Sequence, residues 1–354
     1  MSCWRRSTSQ EKGKEPVRLP NLDRRRLLGS LAAGAAFVSL APSARGQTRQ
    51  IIVQYDWLMS NGQIGDVVAQ ANGYFAEAGL EVELMPGGPN STTVPPVTAN
   101  QALVGQFSDS GQGMLARSAG APIKMIAAGF RQSPFAYFSL PAKPIRSVED
   151  MRGKRIGTQP TARFVLDALL DKAGIDPGEL EIVQVGWDMG PLANGQVDAI
   201  TAWVTNTNAL SILGDDRIAL MQWDAGLPSY ANVYFTSERA LAEDADTIAA
   251  FIGAVARGWG WMYENRAASV DLLVDAYDQL DRAVEQATVE TIVALAFDAA
   301  TKEHGWGTFD PQVVADQIAL YEKIGQFTGE VPTVEGFTTT AILDATEGER
   351  PKLG

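Results

Sequence analysis

Thiols and imidazoles are almost missing from this chain of 354 residues: Cys3 is its one cysteine and His304 its one histidine. Cys3 falls in an N-terminal segment expected to be removed. The remainder then has no disulfide, no thiolate nucleophile and no cysteine-based metal site. A Ser-His-Asp or Cys-His mechanism would depend on His304 alone, in the stretch KEHGWG between late helices, and a zinc site would lack ligands. No catalytic residue, metal or cofactor is therefore expected. Long apolar runs are also scarce, and beyond the first 46 residues nothing approaches the roughly 20 residues that span a bilayer.

The first 46 residues differ from the rest. They carry nine Lys or Arg against three acids, a balance of +6 in a chain of net charge −13, which leaves −19 for the remainder. Such an acidic body repels phosphate backbones, so nucleic acid and anionic lipid are excluded as partners. Arg24-Arg25-Arg26 precede the apolar run LLGSLAAGAAFVSLA and the small residues of PSARG. The order basic, apolar, cleavable reads as a twin-arginine-like export signal, with cleavage after Ala44 or Gly46 and a periplasmic destination. An uncleaved membrane anchor is the alternative.

From residue 47 onward, short β-branched runs alternate with longer amphipathic stretches, which predicts α/β layers. Strands are expected at 51–55, 80–86 and 123–129, with helices at 63–78, 94–104 and 113–120. After the prolines of SLPAKPIRS a second βα block begins, with strands KRIGT, EIVQVGW and DAITAW and a helix over 161–173. The strand ANVYFTS follows, then helices near 240–264, 268–276, 281–301 and 310–326. The expected domains are lobe one over 47–140 plus 233–345, lobe two over 141–232 and a tail over 346–354. The crossings fall near Leu140–Lys143 and Ser229–Val233. Two lobes joined by two crossings leave a cleft between them above a hinge.

Five blocks, in order, resemble a known family. They are Asp56-Trp57 leading into VVAQANGYFAEAGLEVELMPGGPN, then GQFSDSGQ with Ala116-Arg117 and Gly120 to Pro122, then SVEDMRGKRIGT, VGWDMGPLANGQVDA and GLPSYANVYFTS. Together they are similar to substrate-binding proteins that include bacterial thiamine-pyrimidine-precursor, riboflavin, and sulfonate or taurine binders. The resemblance covers roughly residues 50–325 and lies nearer the pyrimidine and riboflavin branch, through DW, GGPN and VGWD. It implies a type II periplasmic-binding-protein fold and an ABC permease as partner; a monomer is expected. Two departures bear on the ligand: Gln63 stands where the pyrimidine branch tends to have histidine, and Thr205-Asn206-Thr207-Asn208 carries no acid where that branch has W-N-x-E.

Ligands of open α/β sheets bind outside the carboxyl ends of strands. That rule selects Asp56, Trp57, Ser108, Ser110, Gln112 and Gln132 in lobe one. In lobe two it selects Thr158, Thr161, Trp187, Asp188, Trp203, Asn206 and Asn208, with Tyr230 beside the second crossing. Indoles suit stacking on a planar ring, against the alternative of ordinary core packing. Carboxylates can accept ring N–H or amine donors, against helix capping. Amides offer donor and acceptor to an uncharged ligand. Arg131 and Arg163 are expected in solvent, although either could hold an anion.

The ligand expected is a small heteroaromatic of pyrimidine, flavin or vitamin-precursor type, bound for import and not converted. The alternatives are a sulfonate- or nitrate-type anion binder, an exported pyrimidine-converting enzyme, and a sensory subunit for a membrane kinase.

Overall fold

The computed structural model describes residues 48–88 and 91–354. The expected export signal lies outside them, as do Pro89 and Asn90 of the GGPN motif. No helix among the described residues is long and apolar enough to cross a membrane.

Among the described residues, ten strands form two five-stranded sheets. The first holds β1 (Arg49–Tyr55), β2 (Leu80–Met85), β3 (Val104–Asp109), β4 (Ile123–Phe130) and β10 (Ala231–Ser237), in the order β2-β1-β3-β10-β4. The second holds β5 (Phe135–Ser139), β6 (Arg155–Thr158), β7 (Glu181–Gln184), β8 (Ala199–Trp203) and β9 (Ile218–Met221), in the order β7-β6-β8-β5-β9. Each sheet is parallel except for one strand. β10 runs antiparallel to β3 and β4, and β5 runs antiparallel to β8 and β9. Those two strands are the first that the chain lays down after each crossing. Each arrives from the opposite sheet and enters its new sheet reversed.

The chain leaves the first sheet between Phe130 and Phe135. This corrects the expected crossing at Leu140–Lys143. FAYFS is buried at all five positions and so shows no alternation, and the prolines that suggested a boundary follow it. β9 was not expected either, and its return crossing, between Met221 and Ala231, overlaps the expected Ser229–Val233. Helices also end sooner than periodicity suggests. The first stops at Ala71, ahead of Gly73 at φ 76°, and the helix expected over 94–104 covers only Val94–Thr98 because β3 begins at Val104. Arg282–Ala296 stops before Asp298, whose side chain accepts from the amides of Ala300 and Thr301 and starts a new helix.

One helix contact fixes the backing of the first sheet. Helix Ile64–Ala71 lies against helix Ala245–Glu264 so closely that a Cβ on Gly65 would stand 2.3 Å from Trp259 Cδ1, and one on Gly258 would stand 2.1 Å from the Gly65 carbonyl. Only glycine permits that approach. Trp259 and Trp306 are fully buried and stack with centroids 5.8 Å apart.

Candidate functional site

A cavity of about 390 Å³ opens between the carboxyl ends of the two sheets. Its size lies within the range usual for small-molecule sites. A larger hollow of about 720 Å³ lies beside β1 and β2, lined by strand-edge residues such as Gln50, Glu81 and Glu83. Tyr277 is its one aromatic, so it offers little to a planar ligand.

One wall of the first cavity is the turn after β1. Gly87 donates its amide to the Trp57 carbonyl at 2.9 Å, and Gly88 donates to the Asp56 carbonyl at 3.2 Å. A Cβ on Gly87 would stand 2.4 Å from the Tyr55 oxygen, so the first glycine of GGPN is required for this packing. The turn after β3 completes the wall. Ser108 donates its amide to Asp56 Oδ2 at 2.7 Å and its hydroxyl to Oδ1 at 2.9 Å. Desolvation raises the Asp56 carboxyl from 3.8 to about 6, against the lowering effect of the Ser108 bonds.

Next to it, Asp109 caps helix Ser110–Ser118 through the Gly111 amide at 2.8 Å. Its other oxygen accepts from Ser229 Oγ at 2.7 Å, and burial raises its carboxyl as well. This wall thus carries two carboxyls held in low-dielectric surroundings. None of the described lining residues is Lys, Arg, His or Cys.

The opposite wall comes from the second sheet. Gln159 follows β6 and spans two strands: its Nε2 donates to the carbonyls of Gly186 at 2.9 Å and Thr201 at 3.2 Å, while Oε1 accepts from Thr201 Oγ1 at 2.6 Å. Phe135 and Phe164 supply apolar surface. Trp203, at the end of β8, leans on Phe130 with ring centroids 6.4 Å apart. The loop beyond it is held to lobe-one elements. Asn61 Nδ2 donates to Glu285 Oε2 at 2.7 Å and to the Thr205 carbonyl at 3.2 Å, and the hydroxyls of Thr207 and Thr288 lie 3.1 Å apart.

Of the residues expected at the site, Asp56, Trp57, Ser108, Gln112, Trp187, Trp203 and Asn206 line this cavity together. The others lie off its wall. Ser110 is buried and donates to Gln317 Oε1 at 2.7 Å. Thr158 is buried at the end of β6, and Thr161 falls in the Pro160–Ala162 turn, its side chain outside the described set. Exposed Asp188 accepts from the Gly190 amide at 3.0 Å, a turn cap. Asn208 is exposed, and Gln132 is half-buried beside the first crossing. Tyr230 is buried, its hydroxyl accepting from the Asp310 amide at 2.8 Å.

Arg131 corrects an expectation, since it is buried and not in solvent. Its guanidinium reaches Asp298 at 3.1 Å and the Thr308 carbonyl at 2.8 Å, and lies 5.0 Å from the Tyr230 ring centroid. Arg163 pairs with Asp167 on its own helix at 2.7 Å.

Of the other lining residues, Ser133 and Gln159 fall within the strand-end loops 130–133 and 158–161 that the carboxyl-end rule selects, whereas Gln222 and Phe164 fall outside every such loop. Gln222 carries no local signal, because a strand within this sheet's pairing must be known before its end can be located.

Comparison with known proteins bears on the fold and the family. The formylaminopyrimidine-binding protein of Halalkalibacterium halodurans is 26% identical over 260 residues, covering 72% of this chain and 78% of that protein. The riboflavin-binding protein RibY of Chloroflexus aurantiacus is 22% identical over 319 residues, covering 88% and 91%. Among solved structures, the periplasmic aliphatic sulphonate binding protein SsuA of Escherichia coli superposes with a TM-score of 0.62 at 16% identity, over 80% of this chain and 95% of that one. The fold is therefore that of a type II periplasmic binding protein, with two α/β lobes and a helical C-terminal segment. The NMT1/THI5 like family model matches residues 61–269, more than half of the sequence, and the chain belongs to that family.

Proposed function

We propose that this protein is the solute-binding component of an ABC importer, exported to the periplasm, and that its two lobes close on a small heteroaromatic molecule of pyrimidine, flavin or vitamin-precursor type. The observation that carries the reading is the composition of the cleft: Trp57, Trp187 and Trp203, two carboxyls on one wall, and no Lys or Arg among the described lining residues. Indoles give a planar ring its stacking surface, and carboxyl and amide oxygens, which keep a second lone pair beside the bonds they take from the protein, suit ring N–H and amino donors. The names of the two curated relatives support the same ligand class.

A sulfonate or nitrate would enter this cleft without a cation to meet it and would face Asp56 and Asp109, an arrangement that costs binding energy in a low-dielectric site. The fold likeness to a sulphonate binder therefore does not carry over to ligand choice. Binding without turnover is the reading, supported by the names of the two curated relatives, both binding proteins, and by a lining without imidazole or thiol among the described residues. Titration calorimetry against pyrimidines, flavins, alkanesulfonates and nitrate tests it. Heat from a pyrimidine or flavin alone is expected, and heat from a sulfonate alone would refute the ligand class.

A further inference from the structure

Most acceptor oxygens on the buried part of the cleft are already engaged by the protein. Asp56 takes two bonds from Ser108, and both oxygens of Asp109 are occupied. Gln159 Oε1 accepts from Thr201, and Gln112 Oε1 accepts from the Asp109 amide at 3.2 Å. Gln222 is the exception. It lines the cavity with no solvent-exposed surface, and its Oε1 has no hydrogen-bond partner among the described residues.

The rest of Gln222 is fixed. Its amide donates to the Phe135 carbonyl at 2.9 Å, and its carbonyl accepts from Leu227 at 3.1 Å. Its Nε2 donates to Ser229 Oγ at 2.8 Å, and Ser229 passes its own hydrogen to Asp109. This chain determines which way the amide faces, because Ser229 spends its one proton on Asp109 and can only accept from Gln222. The orphaned atom is therefore the carbonyl oxygen, an acceptor. It stands on the return crossing, where lobe-two β9 hands the chain back to lobe-one β10.

We infer that Gln222 is a specificity-determining residue whose Oε1 receives an N–H donor from the bound ring, so that closure over a ring lacking that donor leaves a buried acceptor unpaired. The inference rests on the heteroaromatic reading above and adds to it which edge of the ring the protein selects. Sites that bury a polar group against a ligand donor reject analogues lacking the donor more strongly than apolar pockets reject a change of size. The chain Gln222–Ser229–Asp109 couples that selection to the segment joining the lobes.

Two matched pairs of probes test this: 4-amino-2-methylpyrimidine against its 4-dimethylamino analogue, and riboflavin against 3-methylriboflavin. Each pair exchanges N–H donors for methyl groups on the same ring, and the Gln222 variants separate the lost donor from the added bulk. With wild-type protein, the donor-bearing member of whichever ring binds is expected to bind about 10-fold or more tightly than its methylated partner. In Gln222→Met the ratio is expected to fall to about one. Gln222→Glu, kept protonated by burial beside Asp109 so that its O–H replaces the donor to Ser229, keeps an acceptor at the site and is expected to keep the preference, so a folding failure of the methionine variant leaves the test intact. An unchanged preference in Gln222→Met, or its loss in Gln222→Glu, would overturn this inference alone. Failure of the wild-type protein to bind any of the four probes would overturn the heteroaromatic reading and this inference together.

Discussion

Asp56 takes both the amide and the hydroxyl of Ser108, at 2.7 and 2.9 Å, and so welds two turns 52 residues apart in sequence into one rigid wall of the cleft. The DW turn and the FSDSG turn each look like ordinary strand-end loops. Joined in this way, they present Trp57 and Gln112 to the same space. Ser108→Ala removes the hydroxyl bond and leaves the amide bond. It is expected to lower ligand affinity several-fold and stability by about 1 kcal/mol, read by calorimetry and by urea unfolding.

The indoles divide by burial. Trp187 is 67% exposed and Trp57 39% exposed, so neither contributes much to the core. Trp187→Ala is expected to change stability by less than about 0.5 kcal/mol while weakening binding of a planar ligand about 10-fold. Trp203 leans on Phe130, and Trp203→Ala is expected to lower both affinity and stability. Loss of stability without loss of affinity in all three variants would place the ring elsewhere.

Two carboxyls make stability depend on pH in an unusual direction. Burial raises both Asp56 and Asp66 from 3.8 to about 6, Asp66 while accepting from the hydroxyls of Tyr55 at 2.8 Å and Tyr234 at 2.7 and 2.8 Å. A carboxyl raised in the folded state binds its proton more tightly there than in the unfolded chain. Its contribution is therefore full below pH 4 and is lost as pH rises to about 6, by up to about 3 kcal/mol per group. The difference in unfolding free energy between wild type and Asp66→Asn, measured by urea titration at pH 4 and pH 7, is expected to move in favour of the variant at pH 7.

The contact between helices Ile64–Ala71 and Ala245–Glu264 gives a test of the fold itself. A methyl group on Gly258 would stand 2.1 Å from the Gly65 oxygen, with no flexible side chain to give way. Gly258→Ala is expected to cost about 2 kcal/mol or more, seen as a lower urea midpoint at unchanged slope.

The sequence shows much of this architecture and less of the site. Parallel βα units announce themselves where a strand is followed by a glycine-stopped helix, as at KRIGT and the helix ending before Gly174. FAYFS gives no such sign, because a strand covered on both faces loses the alternation that marks a half-buried one. Of the legible cleft residues, Asp56, Trp57, Trp187, Trp203 and Asn206 follow strands that were themselves legible, whereas Ser108 and Gln112 follow β3, which showed only as the FSDSG turn. Gln222 and Ser229 were not legible, since what distinguishes them is an unpaired oxygen and a partner 120 residues away, both properties of the assembled lobes. Arg131 misled for a similar reason: an arginine after a strand looks solvated until Asp298, 167 residues on, folds against it.

The most direct test is the identity of the molecule that the protein carries out of its native compartment. Non-denaturing mass spectrometry of protein purified from the periplasm, the compartment proposed for it, is expected to show one bound neutral or donor-bearing heteroaromatic ring, released on unfolding and absent from Trp187→Ala. A bound alkanesulfonate or nitrate in its place would contradict the account.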